Sequence, residues 1–231
     1  MHEPVMLRSL NWQDNSAVQH ATEPPLGNAL PIPIEIFQTS GKWRRPAVLF
    51  LHGATGLTPK YYPLIYYLAQ LGYVIFVPRY LAQPGRSLAG ESAIRANFAA
   101  WLRTLMNVLA QMTSWPGIDP NRAGVIGMSL GASLGLVLAS RCPAINAFVH
   151  WTGDVPEVVM TYPAYMPPTL VIHGGSDSHV PVQAVIRLAA NLKALNVPCE
   201  LKIYPCERHI LRPIVGLQAA EATGAFLDKY L

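Results

Sequence analysis

Apolar residues along this chain fall into short runs, and between those runs they recur at helical spacing. Ala47 to Leu51 is a continuous apolar run that ends in His52-Gly53, and it predicts a buried strand. Tyr73 to Val77, Ala123 to Met128, Ala147 to Trp151, Thr169 to His173 and Cys199 to Tyr204 predict further strands, and Pro33 to Phe37 predicts an earlier one, followed by a turn at Ser40-Gly41-Lys42. Between them, Tyr61, Leu64, Ile65 and Leu68 lie three or four positions apart and stop at Gly72. Ile94, Phe98, Trp101, Leu102, Leu105, Val108, Leu109 and Met112 form one long helical stripe, and Val182, Val185, Ile186, Ala189 and Leu192 a shorter one. Leu130 to Arg141 and Pro213 to Tyr230 supply two more helices, the second with proline in its first turn.

Strands alternating with helices of this length specify βαβ units, hence an α/β fold with a mostly parallel sheet covered by helices on both faces. Residues 1–29 are polar, lack a clear period and contain Pro24-Pro25; they read as an N-terminal arm, with one strand near Val5 to Leu10. Residues 30–231 read as one α/β domain without internal repeats. The connection from Thr152 to Pro168, with Pro156, Pro163, Pro167 and Pro168, is too short for a separate cap.

Composition sharpens this picture. The chain of 231 residues is 51% hydrophobic and only 13% charged, as a sheet buried on both faces requires. Tyr61 to Pro78 and Ala123 to Ser140 each run 18 residues without a charge, the lower limit for a membrane span. The first is interrupted by Pro63, Gly72 and Pro78, and the second reads as strand, sharp turn and helix, so no membrane association is expected. The net charge of +4 is scattered, which argues against nucleic-acid binding. Met1-His2-Glu3-Pro4 begins no signal peptide, and three cysteines without metal spacing suggest reduced thiols, so a cytoplasmic location is expected.

Chemistry concentrates at three places. Gly127-Met128-Ser129-Leu130-Gly131 has the pattern G-x-S-x-G, placed after a strand and before a helix. That turn exposes a serine at the C-terminal edge of the sheet, and the Leu130 N–H and the helix N-terminus favour a developing oxyanion. A second donor is expected from the Ala54 N–H, in Leu51-His52-Gly53-Ala54-Thr55-Gly56. An acid is expected at Asp177, after the Thr169 to His173 strand, with Asp154 as the alternative. His209 follows the last strand and completes the chain order Ser, Asp, His; the other six histidines, His179 among them, are poorer candidates for the base. Tyr80, Trp151, Tyr162 and Tyr165 could line a substrate site.

These pieces resemble the dienelactone hydrolase family of α/β hydrolases. The resemblance is carried by Asp119-Pro120-Asn121-Arg122 leading into Val125 to Gly131, by Val171-Ile172-His173-Gly174 with Asp177, Val180 and Pro181, by Tyr204-Pro205 before His209, and by Trp151-Thr152-Gly153. It covers Pro33 to the C-terminus and implies an α/β-hydrolase fold. The name-giving enzymes resemble this chain but carry a cysteine nucleophile where Ser129 stands, and the family's histidine is usually followed by glycine, here Ile210. Small-molecule members grip a substrate carboxylate with arginines; Arg79, Arg86 and Arg212 are the candidates here.

The expectation is therefore a serine hydrolase acting on small carboxylic esters or lactones through an acyl-enzyme. It needs no metal or organic cofactor and works as a monomer or homodimer. A peptidase-like amidase of the same fold and a catalytically idle binding protein are the alternatives.

Overall fold

The computed structural model describes residues 16–23, 32–41, 44–81, 90–161 and 165–231. The strand expected near Val5 to Leu10, Lys42 of the early turn, Arg86 and Tyr162 lie outside the described residues.

Among the described residues eight strands form one sheet: β1 (Val18–Glu23), β2 (Ile34–Thr39), β3 (Arg45–Leu51), β4 (Val74–Pro78), β5 (Ile118–Met128), β6 (Ala147–Trp151), β7 (Thr169–Gly174) and β8 (Cys199–Tyr204). Their spatial order is β1-β2-β4-β3-β5-β6-β7-β8. β2 pairs antiparallel with both β1 and β4, and β3 to β8 run parallel to one another. The helices are α1 (Tyr62–Gln70), α2 (Glu91–Thr113), α3 (Leu130–Ala139), α4 (Glu157–Thr161), α5 (Val182–Ala194) and α6 (Pro213–Tyr230).

The apolar runs are continuous because both faces of the sheet are covered. Along β3, Ala47, Leu49 and Leu51 point into a core shared with α2, α3 and α5. Val48 and Phe50, one residue out of phase, point into a second core shared with α1 and α6. All five side chains are fully buried. A single strand therefore serves two cores, and any one-residue slip of register would exchange them. The central helix α3 is buried along its whole length and has no polar face. This accounts for the charge-free stretch from Ala123 to Ser140, which is split between β5 and α3. Among the described residues, no helix is long and apolar enough to cross a membrane.

Among the differences from the sequence reading, α4 lies in the connection from Thr152 to Pro168, where no helix was expected, and two strands also depart from it. β1 lies in the segment read as an irregular arm. Its sequence, VQHATE, offers no apolar face, and its placement comes from tertiary partners: the His20 ring stacks on Phe37 at 4.3 Å and meets Glu35 at 3.0 Å. β5 begins at Ile118, before the expected Ala123, because Asp119 to Arg122 remain in the strand across a register irregularity.

Candidate functional site

The parallel strands deliver several loops to the C-terminal edge of the sheet. At the β5–α3 turn Ser129 has φ 54° and ψ −117°, a left-handed conformation that non-glycine residues rarely adopt. Holding it costs about 1–3 kcal/mol, which the surroundings must over-determine. They do so by close approach. A Cβ on Gly127 would lie 2.3 Å from the Gly131 carbonyl oxygen, and one on Gly131 would lie 2.1 Å from that of Leu51. The Ser129 N–H is held by the Trp151 carbonyl oxygen at 2.9 Å.

Ser129 Oγ lies 2.9 Å from His209 Nε2, and His209 Nδ1 lies 2.8 Å from Asp177 Oδ2. The three side chains come from the β5–α3 turn, the β8–α6 loop and the β7–α5 loop. The other carboxylate oxygen of Asp177 accepts the His179 N–H at 2.8 Å and the Val180 N–H at 3.1 Å. Burial pushes the Asp177 carboxyl up. The hydrogen bonds from Val180, the His209 ring and His179, with the charge of His209, outweigh burial and hold it below its ordinary value. Asp177 is thus an ionised acceptor at neutral pH, which puts the hydrogen of His209 on Nδ1 and a lone pair on Nε2, facing the serine. Asp154, the alternative acid, is exposed, and its carboxylate accepts the Val155 N–H at 2.8 Å.

The N–H of Leu130 lies in the first turn of α3, where no intrahelical acceptor exists. Ala54 sits in a turn closed by Gly56 N–H donating to the Gly53 carbonyl at 3.0 Å. Among the described residues, neither the Leu130 nor the Ala54 N–H meets a protein acceptor. The Gly53 N–H donates to the Tyr61 hydroxyl at 3.0 Å, which anchors the turn.

A cavity of about 530 Å³ opens beside Ser129 and His209. Its walls are largely apolar: Leu64 and Met128, Trp151, Leu211 just before α6, and Leu217 and Ala220 in its first turns. Lys60 and Tyr61 also reach it. Of the expected substrate-binding residues, Trp151 lines this cavity. Tyr80, Arg79 and Arg212 do not. Tyr80 is buried, stacks on His52 at 4.3 Å and donates its hydroxyl to the His52 carbonyl. The Arg79 guanidinium is engaged by the buried Glu35, with Nε 2.5 Å from the carboxylate. Arg212 binds the buried Glu207 through Nε at 2.6 Å and through its main-chain N–H at 2.7 Å. Tyr165 is exposed and also lies outside the cavity wall.

The sequence reading missed Tyr61, Lys60 and the first turns of α6 as parts of the site. In the sequence Tyr61 reads only as a helical apolar position. Nothing local announces that its hydroxyl meets Gly53.

Comparison with known proteins places the chain. The profile of the dienelactone hydrolase family matches residues 35–211. A Methylorubrum extorquens protein, named provisionally as a carboxymethylenebutenolidase, is 25% identical over 162 residues, 62% of this chain and 55% of that protein. The chain spans about half the length of the first curated relatives it matches. Among solved structures, one from Klebsiella pneumoniae subsp. pneumoniae, described provisionally as a dienelactone hydrolase, has a TM-score of 0.80 at 18% identity and covers 93% of this chain and 100% of its own. The acylaminoacyl peptidase of Pyrococcus horikoshii has a TM-score of 0.77 at 16% identity, covering 93% of this chain and 42% of its own. These likenesses establish the α/β-hydrolase fold.

Proposed function

Because the chain belongs to the dienelactone hydrolase family, we propose that its hydrolytic chemistry is that of a serine hydrolase cleaving small carboxylic esters or lactones through an acyl-enzyme. One observation carries this reading: the continuous chain from Ser129 Oγ to His209 Nε2 at 2.9 Å and from His209 Nδ1 to Asp177 Oδ2 at 2.8 Å.

In this reading the substrate carbonyl carbon lies over Ser129 Oγ. As Oγ attacks, its proton passes to His209 Nε2, and the imidazolium is stabilised by the Asp177 carboxylate. The carbonyl oxygen, now negative, receives the Leu130 and Ala54 N–H groups. One such donor is worth roughly 100- to 1,000-fold in turnover. Collapse of the tetrahedral adduct expels the alkoxide, which takes the proton back from His209. A water molecule then gives a proton to Nε2 and attacks the acyl carbon, and the second collapse restores the Ser129 hydroxyl.

The cavity supports an apolar arm on the substrate. Its volume of about 530 Å³ lies within the range of small-molecule pockets, and its walls are mainly hydrocarbon. The likeness to the Pyrococcus peptidase supports a second reading, amide cleavage by the same residues.

The test is active-site labelling with a fluorophosphonate, followed by rates on p-nitrophenyl esters, lactones and p-nitroanilides. One adduct, lost in Ser129→Ala and suppressed in His209→Ala, with esters turned over faster than anilides, is the expected result. Anilide turnover matching ester turnover would favour the amidase. A folded protein that takes no label would leave only a binding role.

A further inference from the structure

Beside the serine–histidine–aspartate chain stands a group that hydrolysis does not use. The His179 ring lies 5.1 Å from the His209 ring, centroid to centroid, tilted by 35°. Its main-chain N–H is committed to Asp177, but its ring is exposed. Among the described residues the ring meets no hydrogen-bond partner. Asp177, His179 and His209 each offer one ligand atom, and all three atoms lie within 4.8 Å of one another.

We propose that Asp177, His179 and His209 form a capture site for a divalent transition-metal ion of the zinc type, and that its occupation switches hydrolysis off. The inference rests on the serine-hydrolase reading for its second half only.

Geometry and chemistry point the same way. Zinc binds imidazole nitrogen and carboxylate oxygen at about 2.0–2.2 Å, so tetrahedral ligands stand about 3.3 Å apart. Asp177 Oδ2 and His209 Nδ1, at 2.8 Å, need to part by only a fraction of an ångström. His179 has to close the remaining gap. It can do so by side-chain rotation, because its ring is exposed while its backbone stays pinned to Asp177. Two imidazoles and one carboxylate suit zinc, copper or nickel and disfavour magnesium and calcium, which prefer oxygen. Solvent supplies the fourth ligand from the exposed side.

The consequence for the base follows from proton placement. In the free protein His209 carries its hydrogen on Nδ1 and offers a lone pair at Nε2. When the metal bonds to Nδ1, that hydrogen moves to Nε2, with no net proton gained or lost by the ring. Nε2 then presents a hydrogen to Ser129 Oγ and cannot accept one. The carboxylate that stabilised the imidazolium is engaged by the ion as well.

The test uses the full chain in a buffer free of chelators. Zinc binding is read by calorimetry, and inhibition by p-nitrophenyl ester turnover and fluorophosphonate labelling. Each protein is scored against its own metal-free rate, for wild type, His179→Ala and His179→Gln. The expected result is reversible inhibition of the wild type by zinc, relieved by EDTA, with magnesium inert. In both variants the half-inhibiting zinc concentration should rise at least about tenfold, in step with a weaker calorimetric affinity. Equal zinc sensitivity in wild type and variants, or no His179-dependent binding heat, would overturn the proposal. Calorimetry reads the site without any turnover. Binding that depends on His179 in a protein that hydrolyses no ester would therefore sink the hydrolase reading and the switch while the ion site stands.

Discussion

Replacing His150 by glutamine should make the protein more resistant to acid unfolding. His150 is fully buried on β6, and burial pushes its ring down to about 4. In the unfolded chain the same ring titrates near 6.5. The folded value lies below the unfolded one, so between about pH 4 and 6.5 the unfolded chain binds more protons. The contribution is complete above 6.5 and is lost as pH falls through that window. His52 behaves alike: it is buried, and burial lowers it to about 4. At about pH 4.5 each ring removes about 2.5 kcal/mol of stability relative to neutral pH. Against a total of about 5–15 kcal/mol, the pair is a substantial share of the stability. Glutamine has similar size, does not titrate, and can still donate toward the Asp154 carbonyl, which His150 Nε2 meets at 3.4 Å. The assay is urea unfolding followed by tryptophan fluorescence from about pH 7.5 to 4.5. The quantity read is the change in the stability gap between wild type and variant. Carboxylates such as Asp177 titrate in both proteins and cancel. The gap should move by about 2.5 kcal/mol in favour of the variant as the pH falls. Parallel curves down to pH 4.5 would refute the reasoning.

Three further outcomes follow from the site. Asp177→Asn keeps an oxygen for the His179 and Val180 N–H groups, so it should fold, yet turnover should fall roughly 1,000- to 10,000-fold because His209 loses its tautomer-setting partner; steady-state kinetics with a melting curve check both. Gly131→Ala places a Cβ 2.1 Å from the Leu51 carbonyl oxygen, a backbone atom with nowhere to retreat; a loss of about 3 kcal/mol, seen as a melting midpoint lowered by about 6–12 °C, is expected. Tyr61→Phe strands the buried Gly53 N–H, at about 1–3 kcal/mol, and should slow ester turnover roughly tenfold by loosening the turn that carries Ala54; an unchanged rate would separate that turn from Tyr61.

The alternation of strand and helix was legible because burial on both faces of the central strands writes itself into composition. Ala147 to Trp151, buried throughout, has the bounds that the pattern predicts, and so do the edge strand Cys199 to Tyr204 and the helix Pro213 to Tyr230. The serine turn was legible because its glycines obey a steric demand that only local sequence can meet. What stayed hidden depends on distant partners. β1 is held by Phe37 and Glu35 and not by a hydrophobic face. Arg79 looks free to bind a substrate until Glu35, 44 residues away, is seen to hold it. Glu207 and Arg212 are only five residues apart, but at that spacing in a loop nothing marks them as a pair. The cavity wall is drawn from α1, β6 and α6, and no periodicity reports which turns of different helices share one hollow.

The short segment between β8 and α6 is fastened from several sides. The Glu207 carboxylate grips Arg212, its N–H reaches the Tyr204 carbonyl at 3.0 Å, and its own carbonyl takes the Ser176 N–H at 2.9 Å. His209 rides inside this knot. On the hydrolase reading proposed above, its imidazole is parked before any reactant arrives, and the entropy of immobilising it is settled once, when the protein matures, and not at every catalytic cycle. A scaffold organised this way can vary the hollow next door while its proton relay keeps the same alignment.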